Sequence, residues 1–279
     1  DRSTGLSASS LYGDVAIYTD ADITVSSGSE YALGISTFSD YGDVNVVNYG
    51  GIDVSGTSLT QGVLARSNYG HVTVVNYGDI SADSSAGYSN AVAVQSGDQG
   101  ATIVNYGSLE ATGDDAWTVN AVGGALGLYN YGDISGSMIT DGGDDYIYNG
   151  EDGRIFMNGD SIELGGGDNL FVNEGKLYAD GASNVINMGY SYGEGGYSYG
   201  LFVNNGSSIH MDDGAADDAL TIIGDFTGTG DVNVDANGAT LSSDRLYIEG
   251  NVLAGTANTV NVNLLSLPSA ADMLAGETI

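Results

Sequence analysis

Cysteine is missing from the 279 residues, proline occurs once, and only five residues are Lys or Arg, with two His. Each scarcity excludes something. Without cysteine there is no disulfide framework, as in many exported bacterial proteins. Five basic residues against 37 acidic ones give a formal charge of −32. A chain this acidic is repelled by nucleic acid and by anionic lipid head groups, which leaves cationic partners and divalent cations. No run of 18 apolar residues offers a membrane-spanning helix. No signal peptide opens the sequence, and the chain reads as a segment of something longer. Charge this high can accompany disorder. Here the acids are interspersed with Val, Ile, Leu and Tyr, and the hydrophobic fraction is 42%, so a folded chain with an acidic surface is expected.

What the sequence does contain is a repeat. Val46-Val47-Asn48-Tyr49-Gly50-Gly51-Ile52 returns as Val74-Val75-Asn76-Tyr77-Gly78-Asp79-Ile80. It returns again as Ile103-Val104-Asn105-Tyr106-Gly107-Ser108-Leu109 and as Leu128-Tyr129-Asn130-Tyr131-Gly132-Asp133-Ile134. The Asn residues are spaced 28, 29 and 25 positions apart, and looser copies follow around Asn149, Asn173 and Asn204. Alternation of period two surrounds each copy, the mark of a half-buried strand. Val44, Val46 and Asn48 share one face; Ile52 and Val54 begin a second strand after the Tyr-Gly corner; Leu33 and Ile35 lie in a third strand before it. Three short strands per 25 to 29 residues predict an all-β fold, a right-handed, single-stranded parallel β-helix.

Stacked coils explain the residue types. Inward Val, Ile and Leu would form apolar columns. Asn48, Asn76, Asn105 and Asn130 would run an amide ladder from coil to coil. Tyr49, Tyr77, Tyr106 and Tyr131 would stack beside it. Gly50, Gly78, Gly107 and Gly132 are expected at the corner because glycine alone adopts a positive φ without strain. Between about 142 and 200 the coils shorten, and Tyr190, Tyr192, Tyr197 and Tyr199 sit in a Tyr/Gly-rich protruding loop near 190–200, a candidate contact surface of aromatic, Gly and Ser residues.

The Asn-x-Gly-x-Ile corner resembles coils of bacterial autotransporter passengers. Asp218-Ala219-Leu220-Thr221-Ile222-Ile223-Gly224-Asp225-Phe226, then Ser243-Asp244-Arg245-Leu246-Tyr247-Ile248 and Thr259-Val260-Asn261-Val262, look like a pertactin-type C-terminal region. The resemblance implies coils over 1–214 and capping, autochaperone-type coils over 215–279. It also implies a precursor with a signal peptide upstream and an outer-membrane β-barrel downstream. A place on the bacterial surface or in the extracellular medium follows from it, as does a monomeric stalk or adhesin that meets a host or neighbouring-cell protein or glycan.

Catalytic chemistry finds little support. A nucleophilic serine needs a base, and only His71 and His210 exist. Both read as strand residues in solvent. Gly159-Asp160-Ser161-Ile162 resembles the nucleophile block of an esterase family, but Ser207 stands three positions before His210, where that family has Asp. Many parallel β-helices are polysaccharide lyases or glycosidases, the alternative function. The basic residues Arg66, Arg154, Lys176 and Arg245 are scattered, and with 37 acids a chance carboxylate pair says nothing. No enzyme and no cofactor are expected. Calcium has weak candidates in Asp144, Asp145 and Asp168, within Gly-rich stretches resembling a calcium-binding nonapeptide without its consecutive copies. Asp212-Asp213 and Asp217-Asp218 read as a loop before the C-terminal coils.

Overall fold

The computed structural model describes residues 2–28, 31–193 and 196–267, with no helix among them. Strand Val44–Asn48 shows why the chain folds as it does. Val44, Val46 and Asn48 are buried while Asn45 and Val47 face outward. Its β-branched side chains are stiff at χ1 and suit a pleated surface. Equivalent strands run at Val15–Thr19, Val72–Asn76, Ala101–Asn105, Leu126–Asn130, Tyr146–Asn149, Leu170–Asn173, Leu201–Asn204 and Asp225–Gly228. Together they form a nine-stranded parallel sheet.

Each of these strands leads into two further segments that join a second sheet. In the second turn they are Ile52–Gly56 and Leu59–Ser67; in the fifth they shrink to Asp133–Ser135 and Met138–Thr140. Every segment pairs in parallel with its counterpart one turn away. The protein is therefore a parallel β-solenoid of nine turns, and at the usual strand spacing the rod is about 40 Å long.

Stacking turns equivalent residues into columns. Val46, Val74, Ile103, Leu128, Ile147, Phe171, Phe202 and Phe226 follow one another on the first face. Ile52, Ile80, Leu109, Ile134, Ile155, Leu177 and Ile209 do so on the second. Ile35, Val63, Val92, Val119, Met138, Ile162 and Ile186 do so on the third. All are buried and belong to one continuous core. Each large apolar side chain removed from water contributes up to about 1.5–3 kcal/mol.

The Asn corner is as the repeat predicts. Asn48 Nδ2 donates to Asn76 Oδ1 at 2.9 Å, Asn76 to Asn105 at 3.0 Å and Asn105 to Asn130 at 2.9 Å. The ladder continues through Asn149, Asn173 and Asn204 to Asn258. The second N–H of Asn48, Asn76, Asn105 and Asn130 donates to the carbonyl two residues on, at Gly50, Gly78, Gly107 and Gly132. A directional ladder leaves one loose atom at each end: Oδ1 of Asn48 and Nδ2 of Asn258 are buried without a partner.

The corner glycines are required for a different reason than the one expected. None of Gly50, Gly78, Gly107 and Gly132 has a positive φ. A Cβ on Gly78 would instead lie 2.0 Å from the Gly50 carbonyl oxygen, and one on Gly107 would lie 1.9 Å from that of Gly78. Close approach between successive turns, not backbone handedness, selects glycine here.

The columns surface at the C-terminal end. Val260 and Val262 pair with Val232 and Val234 in the last strand, Thr259–Ser266, and are 62% and 60% exposed. Among the described residues nothing covers them. Pro268 and the rest of the expected C-terminal segment beyond Leu267 lie outside the described residues.

Candidate interaction surface

Two aromatic columns edge the first sheet. Tyr49, Tyr77, Tyr106 and Tyr131 stack with ring centroids 4.7, 4.8 and 5.2 Å apart, as the sequence predicts. A second column, Tyr12, Tyr41 and Tyr69, with centroids 5.6 and 5.0 Å apart, lies at the opposite corner and was not anticipated. Its signal was present: Ser39-Asp40-Tyr41-Gly42 matches Ser67-Asn68-Tyr69-Gly70. Ser39 Oγ donates to the Gly13 carbonyl and accepts the Gly42 N–H, both at 2.9 Å, and Ser67 repeats both contacts one turn on. Rings stacked face to face cover each other's π surfaces, so the columns offer edges and hydroxyls to a partner, not open faces for a sugar.

The predicted loop is an antiparallel hairpin. Tyr190–Gly193 pairs with Gly196–Tyr199, Tyr190 opposite Tyr199 and Tyr192 opposite Tyr197 along the backbone. Tyr190, Tyr192 and Tyr199 are exposed; the Tyr197 side chain, with Glu194 and Gly195, lies outside the described residues. Beneath the hairpin is a cleft of about 620 Å³, lined by Tyr190, Tyr199, Ile139, Glu163, Asn187 and Ile223 among others. Asn187 Nδ2 donates to Glu163 Oε2 at 3.0 Å, which orients the one carboxylate of the cleft. At the Asn corner, Tyr148 donates to Glu174 at 2.6 Å. That bond pushes the Tyr148 hydroxyl up to about 12 and holds Glu174 below the usual carboxylate range.

A second cleft, of about 460 Å³, contains Arg2, Arg66, Tyr31 and Gln61. Two basic residues that look scattered in the sequence therefore share one groove, with Arg2 over the Tyr31 ring and Arg66 over Phe38. Arg154 lies elsewhere in a bidentate pair with Asp133, at 2.6 and 2.7 Å.

The chemistry-bearing residues separate clearly. His71 is committed at both ring nitrogens, to the Gln99 carbonyl at 2.9 Å and to Thr102 Oγ1 at 3.0 Å. Asp160 accepts from Ser137 of the preceding turn at 2.8 Å. His210 is less ordinary. Its Nε2 is 2.8 Å from Ser208 Oγ and its Nδ1 is 2.8 Å from Asp212 Oδ1. Alternation along strand Ser208–Met211 puts Ser208 and His210 on one side, and the ring stacks on Tyr178 at 4.9 Å. The order and distances match a nucleophile, a base and its orienting acid. The clefts of about 620, 460, 350 and 270 Å³ among the described residues are not lined by these three residues.

The expected calcium candidates do not converge. Asp145 is buried and accepts from the Leu126 N–H at 2.7 Å and Thr140 Oγ1 at 2.5 Å; desolvation raises its pKa. Asp144 accepts the Asp168 N–H, and Asp168 accepts the Ser191 hydroxyl. These are corner hydrogen bonds between turns. The acids read as a plain loop behave otherwise. Asp213 and Asp218 meet Asp180 of the preceding turn, with one oxygen from each within 4.8 Å of the others, the one such convergence among the described residues.

In comparisons with known proteins, no family model, no curated protein and no solved structure matches this chain.

Proposed function

We propose that the chain is a surface-displayed interaction segment, the passenger part of a bacterial autotransporter, that holds a contact site on a rigid stalk and performs no catalysis. The observation that carries this reading is the hairpin over its cleft: an apolar and aromatic pocket with one oriented carboxylate, set on an otherwise regular rod. Solenoids present extended surfaces of this kind because each turn contacts only its neighbours and insertions leave the rod intact. The net charge of −32 selects a partner with basic side chains, so binding weakens with salt. Right-handed winding, a monomeric state, a place on the cell surface, a downstream barrel and a capping role for 215–279 belong to the same reading.

The test replaces residues 191–198 by Asn-Gly, leaving Tyr190 and Tyr199 as the hairpin root. The intact protein is expected to bind at least one member of an immobilised panel of host matrix proteins and surface glycans. The shortened protein should lose at least tenfold in affinity with an unchanged unfolding midpoint. No binding by the intact protein to any panel member overturns the proposal.

One observation favours a second reading, a hydrolase: the hydrogen-bonded row of Ser208, His210 and Asp212. Hydrolysis of p-nitrophenyl esters, abolished by Ser208→Ala, would promote it. Absence of turnover removes it.

A further inference from the structure

We propose that Asp180, Asp213 and Asp218 bind one calcium ion, which ties together the corners of two successive turns. The three carboxylates come from loops between the second and third segments of their turns: Asp180 after Lys176–Tyr178, Asp213 and Asp218 between Ser208–Met211 and Ala219–Ile223.

Hydrogen bonding separates these acids from their neighbours. Asp244 spends both oxygens on backbone N–H groups, of Asp218 at 3.0 Å and of Asp235 at 2.6 Å. Asp235 spends both on the Gly214 N–H and Asn263 Nδ2. In these two each oxygen is already held by a donor, as in a structural clamp. Asp213 uses only Oδ1, for the Ala215 N–H, and Asp218 uses only Oδ1, for the Gly181 N–H at 2.5 Å. Asp180 accepts no hydrogen bond among the described residues.

The decisive group is Asp218. It is 3% exposed, and its Oδ2 is buried without a partner. An ionised oxygen removed from water and left unpaired is among the most unfavourable arrangements in a folded chain, and it persists when paired or metal-bound. Among the described residues none of the three makes an ion pair. His210 is engaged with Asp212, and Arg245, which lines the small cavity beside Asp218, makes no ion pair with it among the described residues. Desolvation and the charges of Asp213, Asp244 and Asp180 push the Asp218 carboxyl up to about 6, and Asp180 is raised for similar reasons. A cation removes both penalties at once.

The donor set is oxygen only, which selects a hard ion over zinc or copper. Calcium bonds of 2.3–2.6 Å let ligands on opposite sides lie about 5 Å apart, whereas the tighter magnesium octahedron spans about 4 Å. Oxygens within 4.8 Å of one another fit the larger ion. The inference stands independently of the display reading.

Calorimetric titration of the EDTA-dialysed 279-residue protein with CaCl2, up to about 10 mM, well above the weakest extracellular sites, tests it. One saturable site per chain is expected, with a rise in unfolding midpoint and at least tenfold weaker binding of MgCl2. Asp213→Asn alters an exposed side chain and leaves the fold intact; it and Asp218→Asn should each remove the heat and the midpoint shift, while Asp144→Asn keeps both. No saturable heat overturns the proposal. So does calcium binding that survives in both variants, or an equal response to both salts in every variant, which would be charge screening alone.

Discussion

The first four turns and the last five solve the same packing problem differently. Through Val122 the third segments are long, as at Tyr31–Ser39 and Leu59–Ser67, and the interior is Val, Ile and Ala with Leu109. From Asp133 to Met211 the segments fall to three or four residues, and beyond Leu126 the interior gains Phe171, Phe202, Phe226, Met157, Met188 and Met211. A shorter strand points fewer side chains inward, so each must be larger to keep the core at native density. Phe171 and Phe202 sit edge to face at 4.9 Å, filling a space that rows of Val fill above. Regularity and bulk are thus interchangeable, and the irregular half gains room for the hairpin and the Asp corner.

Three measurements break or sharpen that contrast. The largest effect is expected at the regular corners. Gly78→Ala drives a methyl to 2.0 Å from a backbone oxygen that cannot move independently, and should lower stability by about 4 kcal/mol or more in urea unfolding. Gly51→Ala, whose nearest neighbour is Asp22 Oδ1 at 3.4 Å, should be nearly neutral. Equal effects at the two positions would refute the close-approach account.

Next come the columns. Phe202→Ala should cost about 3–5 kcal/mol and Val74→Ala roughly 2, because the single ring carries what several smaller side chains share in the regular half. A Val74 effect as large as that of Phe202 would mean that bulk does not replace regularity.

The smallest effect is electrostatic and confined to the later turns. With calcium chelated, native Asp218 keeps a proton up to about pH 6, whereas in the unfolded chain it releases it near its ordinary value of 3.8. The native state then binds more protons between these values, so this group's contribution to stability falls as pH rises through roughly 4 to 6. The loss is at most about 3 kcal/mol by pH 7. Asp213, Asp244 and Asp180 face the group, and Arg245 lines the same small cavity. Asp218→Asn should flatten this part of the pH profile; a profile identical to that of the wild type would show that the carboxylate does not titrate there.

How much was legible depends on whether a feature repeats. Asn48, Asn76, Asn105 and Asn130 announced their ladder because identical residues at a constant spacing must stack. The inner columns were readable from alternation for the same reason. Gly78 was recognised as obligatory but for the wrong reason, because a sequence shows that a side chain is forbidden, not whether dihedral angle or a neighbouring carbonyl forbids it. Tyr12, Tyr41 and Tyr69 were readable in principle from their Ser-x-Tyr-Gly corner. The meeting of Asp180 with Asp218 was not: the turns there advance by irregular steps, so no period places one acid beneath the other.

The sequence by itself determined the solenoid, since apolar alternation returning every 25 to 29 residues buries its face only by stacking on copies of itself. Tertiary structure alone decided which polar groups converge, because that depends on where each loop between segments comes to rest. The meeting of Asp180 with Asp213 and Asp218 follows from that placement, and no local pattern encodes it.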